Sequence, residues 1–294
     1  MKPNSIKAWL LAARPKTLTG AILPVMVGSA LAYMHNVFNW KPAVICMVFA
    51  GLMQIAANLI NDLFDYLKGS DREDRLGPER ACAQGWISPT NMKIGIAITV
   101  AIACITGCIL ILFAGWKLIL IGVMCVLFAF FYTTGPYPLS YNGWGDALVI
   151  FFFGFIAVGG TYYVQALTIN SDVIIASLIC GLIIDTLLVI NNYRDREADK
   201  KSGKRTVIVR FGEEFGSYFY LSLGIIAAIL CLWFLRERHV LAAILPQLYL
   251  IPHFLTWRKM VRIYKGKALN NILGETSRNM LLMGLLLSLG MILS

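Results

Sequence analysis

Three oxygen-bearing side chains lie at the end of an apolar segment in the first half of the chain. Asn58, Asp62 and Asp65 are spaced four and three residues apart, so a helix would bring all three to one face. A carboxylate close to the hydrocarbon region of a membrane is unfavourable by about 2.5–3.5 kcal/mol, and neighbouring carboxylates also repel each other. Cations bound between the carboxylates relieve both effects, so this spacing predicts a cation site.

A second cluster has the same form and follows a later apolar segment. Asn191, Asp195 and Asp199 succeed one another at intervals of four residues and again share one helical face. One such segment alone is more often an ordinary charged loop at a membrane edge, but two matched faces in equivalent places indicate a shared site. We predict that both faces bind metal through these Asn and Asp side chains, with Asp62, Asp65, Asp195 and Asp199 as the catalytic carboxylates.

The identity of the cation follows from the chemistry of the predicted ligands. All are oxygen atoms, and the three His residues are scattered along the chain, which favours a hard cation such as Mg²⁺ over Zn²⁺. Mg²⁺ usually takes one or two carboxylates together with phosphate oxygens. Basic residues suited to phosphate flank both clusters: Lys68, Arg72, Arg75, Arg80, Lys200, Lys201, Lys204 and Arg205. The combination predicts a Mg²⁺-diphosphate site for a lipid substrate.

The composition places these clusters in a membrane protein. The chain of 294 residues is 58% apolar and 14% charged, with a mean hydropathy of +0.70, whereas soluble domains are about 25% charged. Apolar segments long enough to span a bilayer lie at about 18–35, 42–64, 93–113, 116–133, 145–167, 172–192, 216–235, 239–257 and 278–293. We predict a single all-α domain over residues 1–294, with nine transmembrane helices in one bundle around a central cavity.

The basic residues predict the orientation of that bundle. With a cytoplasmic N-terminus, 22 of the 26 Lys and Arg residues fall in inner segments, as the positive-inside rule requires. The net charge of +10 then reflects inner loops beside membrane lipid and does not indicate nucleic-acid binding. Both acidic clusters fall on the cytoplasmic side in this arrangement.

Some single residues allow two interpretations. The segment from Arg14 to Thr17 either positions the first span or reaches an anionic substrate. Asp185, inside the sixth span, is either a functional carboxylate or a packed polar residue. Of the tyrosines between the fourth and fifth spans, we expect Tyr137 in the cavity and Tyr141 in an interfacial aromatic belt.

The motifs resemble those of the UbiA superfamily of intramembrane aromatic prenyltransferases. That family carries N-D-x-x-D and D-x-x-x-D motifs after its second and sixth helices, which correspond here to residues 61–65 and 195–199. The segments 14–18, 68–80, 135–139, 159–165 and 191–195 are most similar to the branch that acts on 1,4-dihydroxy-2-naphthoate. The superfamily pattern has a third acidic residue where Gly69 stands, so Asp71 or Asp74 takes its place here, and the branch more often has Glu at Asp146.

The resemblance implies an activity and a set of partners. The expected reaction is Mg²⁺-dependent transfer of a polyprenyl group from polyprenyl diphosphate to 1,4-dihydroxy-2-naphthoate, which gives demethylmenaquinone and releases diphosphate and CO₂. The expected location is the bacterial cytoplasmic (inner) membrane. The residues expected to bind diphosphate are Lys68, Arg80, Lys201 and Lys204. The residues expected to bind the acceptor are Arg14, Lys16 and Tyr137, with the ring carboxylate at Arg14 or Lys16.

Two other functions are weighed against this one. A sister enzyme would prenylate 4-hydroxybenzoate or homogentisate by the same chemistry. A transporter for divalent cations or anions would use the acidic faces as a pathway, but such proteins place their binding sites near the bilayer midplane on discontinuous helices. Both acidic clusters here are predicted at the inner interface, which favours the transferase.

Overall fold

The computed structural model describes residues 2–69 and 76–294, apart from the side chain of Lys16. All regular secondary structure in these ranges is helical. The α-helices are α1 (Ile6–Ala13), α2 (Leu18–Met34), α3 (Trp40–Leu67), α4 (Pro89–Ala114), α5 (Leu118–Phe131), α6 (Gly145–Val149), α7 (Gly160–Ala166), α8 (Ser171–Lys201), α9 (Val207–Cys231), α10 (Val240–Ile244), α11 (Leu250–Ile263) and α12 (Leu269–Ile292). A π-helical stretch joins α6 to α7, and short 3₁₀ turns extend α9 and join α10 to α11.

Six helical segments in the described part are long and apolar enough to cross a membrane: Trp40–Leu67, Pro89–Ala114, Gly145–Ala166, Ser171–Lys201, Val207–Glu237 and Val240–Ile263. The pair α1 and α2, bent by 56°, makes a seventh if it counts as one span. The predicted all-helical membrane class is therefore confirmed. Each of the nine predicted segments overlaps a helix in the described ranges, but the number of nine spans stays a prediction.

Local sequence signals set the ends of the helices that carry the site. The side chain of Asn170 accepts a hydrogen bond from the Val173 amide and caps the start of α8, as Asn does at many helix N-termini. Gly203, at a φ of 77°, ends the same helix because glycine adopts left-handed backbone without strain. As a result α8 runs past the predicted limit of residue 192 and holds the whole second acidic cluster.

Of the six described helical segments long enough to cross a membrane, α8 is the most buried. Of its most apolar window, 72% lies inside the protein, as expected for a helix without a polar face. It packs against α9 and against the π-helical stretch Ile150–Gly159. Two glycines allow the helices to approach closely. A Cβ atom built on Gly154 would lie 2.4 Å from the Ser177 carbonyl oxygen, and one built on Gly181 would lie 2.8 Å from the Ile150 carbonyl oxygen.

The last helix is longer than the hydropathy pattern predicts. We expected the ninth span to begin at about residue 278, whereas α12 begins at Leu269. Some of its polar residues are buried against protein: Thr276 exchanges a hydrogen bond with the Tyr220 hydroxyl at 2.8 Å, and Asn279 donates to Thr256 at 2.9 Å. A hydropathy window misses such a segment because it counts these side chains as polar, although their hydrogen bonds are satisfied within the protein.

Candidate active site

Asp62 lies near the end of α3 and is 1% exposed. Its two carboxylate oxygens accept hydrogen bonds from the backbone amides of Ala81 and Cys82 at 2.8 and 2.9 Å. The carboxylate therefore fixes the loop that follows α3 against the helix. Its predicted role as a metal ligand stays a prediction, since both oxygens hold backbone in this structure.

We expect Asp62→Asn to lower stability. A carboxamide has one acceptor oxygen, so one of the two buried amides loses its partner, at a cost of about 1–3 kcal/mol. Thermal unfolding in detergent should show a lower Tm for this variant than for Asp65→Asn, which alters no backbone contact. Equal Tm values for the two variants would contradict the anchoring role.

Asp65, one helical turn further along α3, faces a different environment. Its Oδ2 atom lies 2.8 Å from the Arg80 guanidinium, and its Oδ1 accepts a hydrogen bond of 3.1 Å from the Tyr141 hydroxyl. The side chain keeps 18% of its surface exposed. Asp65 is therefore accessible to a ligand, in contrast to Asp62.

Tyr141 connects the two acidic clusters. The Lys68 ammonium lies 4.5 Å from the centre of its ring and the Lys204 ammonium 5.7 Å. Lys204 also lies 3.5 Å from the Asp199 carboxylate. The ends of α3 and α8 thus meet around one tyrosine, which lies in the site and not in the interfacial belt where we expected it.

Removal of the Tyr141 hydroxyl should weaken the site without unfolding it. Tyr141→Phe keeps the ring between the two lysines but deletes a hydrogen bond to a charged group, worth about 1.5 kcal/mol, which corresponds to about a tenfold fall in turnover. Steady-state turnover of purified protein measures it. Tyr33→Phe, at an exposed tyrosine near the end of α2, is the control, and equal losses in the two variants would contradict a specific role for the Tyr141 hydroxyl.

The second cluster is organised by a buried arginine. Arg194 is 2% exposed and binds both oxygens of Asp195 at 2.8 and 2.6 Å. It also donates to the Asn191 side-chain oxygen at 2.6 Å. One turn further, Oδ2 of Asp199 is buried without a hydrogen-bond partner among the described residues. An acceptor in that position is suited to a metal ion or a ligand donor.

The N-terminal segment is held beside the first cluster. The Asn58 amide donates to the Ala13 carbonyl oxygen and to the Thr17 hydroxyl, each at 2.9 Å. This places the turn that contains Arg14 against α3, one turn before Asp62. Asn58 therefore holds backbone here, and its role as a metal ligand stays a prediction.

Five other predicted residues are placed differently or fall outside the description. Tyr137 is 56% exposed and does not line the cavity described below; its role in acceptor binding stays a prediction. Lys201 is exposed at the end of α8. The side chain of Lys16 and the whole of Asp71 and Asp74 lie outside the described residues.

An apolar cavity of about 510 Å³ adjoins the site. Its walls come from α2 to α5 and from the 145–166 segment, and they carry few polar groups. Asn61 and Tyr132 line it at the end nearest the acidic clusters. Thr133, next to Tyr132, donates to the Asn61 side chain and accepts from Lys68. The polar site and the apolar cavity are therefore continuous through Asn61.

The pKa of Lys68 reflects this environment. Partial burial lowers the pKa of its ammonium group from the ordinary value, and the nearby Asp65 carboxylate opposes that change by raising the pKa. A lysine tuned by these two opposing effects is sensitive to any further charge brought near it. Lys68 is thus positioned to respond to an anionic ligand.

The oxygen-only donors fit a hard cation that is completed by a ligand. The described residues contain no group of three or more His, Cys, Asp or Glu side chains arranged to hold a metal ion. Asp65, Asp195 and Asp199 nevertheless offer carboxylate oxygens, one of them without a partner. This suits Mg²⁺, which commonly takes one or two carboxylates and fills its remaining positions with water and phosphate oxygens.

Known proteins resemble this chain over nearly its whole length. The chain is 35% identical to the 1,4-dihydroxy-2-naphthoate octaprenyltransferase of Escherichia coli (strain K12), over 98% of this chain and 96% of that protein. It is 36% identical to the protein of the same name from Haemophilus influenzae, over 99% and 97%. A solved structure of a UbiA homolog from Archaeoglobus fulgidus, bound to GPP and Mg²⁺, has the same fold, with a TM-score of 0.68 and 19% identity over 98% of this chain and 100% of that chain.

The family assignment rests on most of the length of the chain. The UbiA prenyltransferase family matches residues 21–273, a range that contains both acidic clusters, the Tyr141 loop and the start of α12. The chain belongs to the UbiA prenyltransferase family.

Proposed function

We propose that this protein transfers a polyprenyl group from polyprenyl diphosphate to 1,4-dihydroxy-2-naphthoate, with release of diphosphate and CO₂ and with the quinol form of demethylmenaquinone as the product. The observation that carries the proposal is the meeting of two carboxylate-bearing helix ends around Tyr141, beside an apolar cavity. Such a site suits a substrate with a charged head and a long apolar tail. The names of the two bacterial relatives support dihydroxynaphthoate as the acceptor.

The diphosphate is expected to lie between the two clusters. Mg²⁺ held by Asp65, Asp195 and Asp199 would stabilise the negative charge of the leaving diphosphate, and the GPP and Mg²⁺ bound to the archaeal homolog support this assignment. The ammonium groups of Lys68 and Lys204 both lie close to the Tyr141 ring. We assign the remaining phosphate contacts to Arg80 and Lys201.

The protein's part in the reaction is to place charge and to exclude water. Cations on both sides of the diphosphate favour cleavage of the allylic C–O bond because they stabilise the charge that develops on the leaving oxygen. The apolar cavity holds the prenyl chain and keeps water from the allylic carbon. The electron-rich ring then forms the new C–C bond to the allylic carbon as the allylic C–O bond breaks, and the electron pair of the bond between ring and carboxylate returns to the ring when CO₂ leaves.

The acceptor is expected to enter beside the N-terminal turn. Asn58 ties that turn to α3, so Arg14 lies on the side of α3 that leads to Asp62 and Asp65. We assign the ring carboxylate to Arg14 or Lys16, because a guanidinium or ammonium binds a carboxylate through charge-assisted hydrogen bonds. Tyr137 is retained as a further acceptor contact, on the outer side of the same loop as Tyr141.

We also propose nine membrane spans with a cytoplasmic N-terminus, in the bacterial inner membrane. The excess of basic residues in the segments on the site's side supports this orientation. The chain then forms one domain over residues 1–294, with the acidic clusters open to cytoplasmic Mg²⁺ and to soluble dihydroxynaphthoate.

A turnover assay tests the proposal directly. Purified protein receives geranylgeranyl diphosphate, Mg²⁺ and either dihydroxynaphthoate or 4-hydroxybenzoate, with Asp195→Asn as the inactive control. We expect a prenylated naphthoquinone that requires Mg²⁺ and Asp195. Product from 4-hydroxybenzoate alone would move the function to the sister enzyme, and no product from folded protein would reject prenyl transfer in favour of transport.

A further inference from the structure

Asn270, in the first turn of α12, contacts both halves of the site although it lies far from either acidic cluster in the sequence. Its side-chain oxygen accepts a hydrogen bond of 2.8 Å from Nη1 of Arg194. Its side-chain amide donates to the Leu76 carbonyl oxygen, also at 2.8 Å. One carboxamide therefore joins the loop after the first cluster to the helix that carries the second.

The contact with Arg194 matters because that guanidinium holds Asp195. Two of its nitrogens, Nε and Nη2, bind the two oxygens of Asp195, and Nη2 also binds Asn191. The third, Nη1, is the one that binds Asn270. A guanidinium is rigid and planar. A hydrogen bond that fixes one of its nitrogens therefore also fixes the plane from which the other two bind Asp195.

The contact with Leu76 matters because it is a second anchor for the loop between α3 and α4. The first anchor is Asp62, which holds the amides of Ala81 and Cys82. Through Leu76 the loop is also tied to α12, and through α12 to Arg194. The separation of the two clusters is thus defined by contacts outside either motif.

We infer that Asn270 is a positioning residue, which sets the distance between the two acidic clusters and so the affinity for a divalent cation with a prenyl diphosphate. This inference rests on the proposed function and deepens it. Asn270 touches none of the proposed reacting groups and acts through Arg194 and Leu76. Groups that bind a metal–diphosphate pair must be held to within about 0.5 Å of the productive geometry. Without the contact to Asn270, the Arg194 guanidinium could rotate and would not hold Asp195 to that precision.

A matched pair of variants tests the inference. Asn271 is the next residue, has the same side chain and is exposed, so Asn271→Ala controls for loss of an asparagine in the first turn of α12. The first readout is the rise in Tm when Mg²⁺ and geranyl diphosphate are added to purified full-length protein without acceptor. The second is the KM for Mg²⁺ in turnover, compared with kcat at saturating Mg²⁺.

We expect Asn271→Ala to match the wild type in both readouts. Asn270→Ala should lose more than half of the ligand-induced rise in Tm and raise the KM for Mg²⁺ about tenfold, with kcat at saturating Mg²⁺ less affected. A purely structural role would lower the Tm of the unliganded protein and leave the KM for Mg²⁺ unchanged. Wild-type values for Asn270→Ala in both readouts would overturn the inference.

A second variant keeps the test decisive if Asn270→Ala does not fold. Asn270→Asp retains an acceptor for Arg194 but has no donor for the Leu76 carbonyl, so we expect a ligand-induced rise in Tm between those of Asn270→Ala and the wild type. A ligand-induced rise in Tm as large as that of the wild type would contradict a role for the hydrogen bond from Asn270 to the Leu76 carbonyl. Failure of the proposed function looks different, because wild-type protein would then show no rise in Tm with Mg²⁺ and geranyl diphosphate, or no prenylated naphthoquinone.

Discussion

Asp65→Asn should reduce turnover by about 100- to 1,000-fold, the range seen when one group that stabilises developing charge is removed. The substitution keeps the shape of the side chain but removes a negative charge from the end of α3. Asp65 is the carboxylate of the first cluster that is both accessible and in contact with Tyr141. The loss should appear chiefly as a higher KM for Mg²⁺ and a lower kcat, measured by product formation with geranylgeranyl diphosphate.

Glu79→Gln is the matched control for Asp65→Asn. Glu79 lies in the loop after the first cluster, is exposed, and loses the same unit of charge on substitution. We expect its turnover to stay within about twofold of the wild type, because exposed charges interact weakly through water. Equal losses in the two variants would indicate a general effect of surface charge and would contradict a specific role for Asp65.

Gly122→Phe should impair long prenyl donors far more than short ones. Gly122 lines the cavity on α5, and a Cβ atom built on it meets nothing within 4 Å. A phenyl ring would therefore occupy space that we assign to the prenyl tail. Overpacking costs about 1–3 kcal/mol, which corresponds to roughly a 5- to 150-fold loss in kcat/KM for geranylgeranyl diphosphate.

The length of the donor makes the cavity test specific. Gly122 lies ten residues before Tyr132, about 15 Å away if the helical rise continues, so a geranyl chain that starts at the acidic clusters ends short of it. Gly274→Phe is the control, since Gly274 is exposed on α12 and also has open space around it. Equal losses with geranyl and geranylgeranyl donors would contradict the assignment of the tail to this cavity.

The helical class and the two acidic faces follow from the sequence because they depend on local spacing. Intervals of three and four residues decide which side chains share a helical face, and α3 and α8 carry the two clusters as predicted. Apolar length decides which segments can cross a bilayer. The ninth span was predicted to begin at about residue 278, whereas the helix α12 begins at Leu269, because polar residues near its start are satisfied by the rest of the bundle.

Different roles for similar residues came only from the tertiary structure. Asp62 and Asp65 are equivalent in spacing and type, yet the first holds the backbone of residues 81 and 82 while the second meets Arg80 and Tyr141. The partner of a carboxylate depends on chain segments distant in sequence, which periodicity does not encode. No local signal distinguished Tyr141 from Tyr137.

By itself the sequence determined a helical membrane protein with two matched acidic helix ends, flanked by basic residues, and the motifs that carry its family resemblance. Only the tertiary structure showed which of those carboxylates are accessible and that Tyr141 lies between the two clusters. It also showed that Asn270 contacts both Arg194, which holds Asp195, and the loop after α3. The physical reason is range: helical faces and hydropathy arise from neighbours along the chain, whereas hydrogen-bond partners and cavities arise from packing between segments up to 258 residues apart.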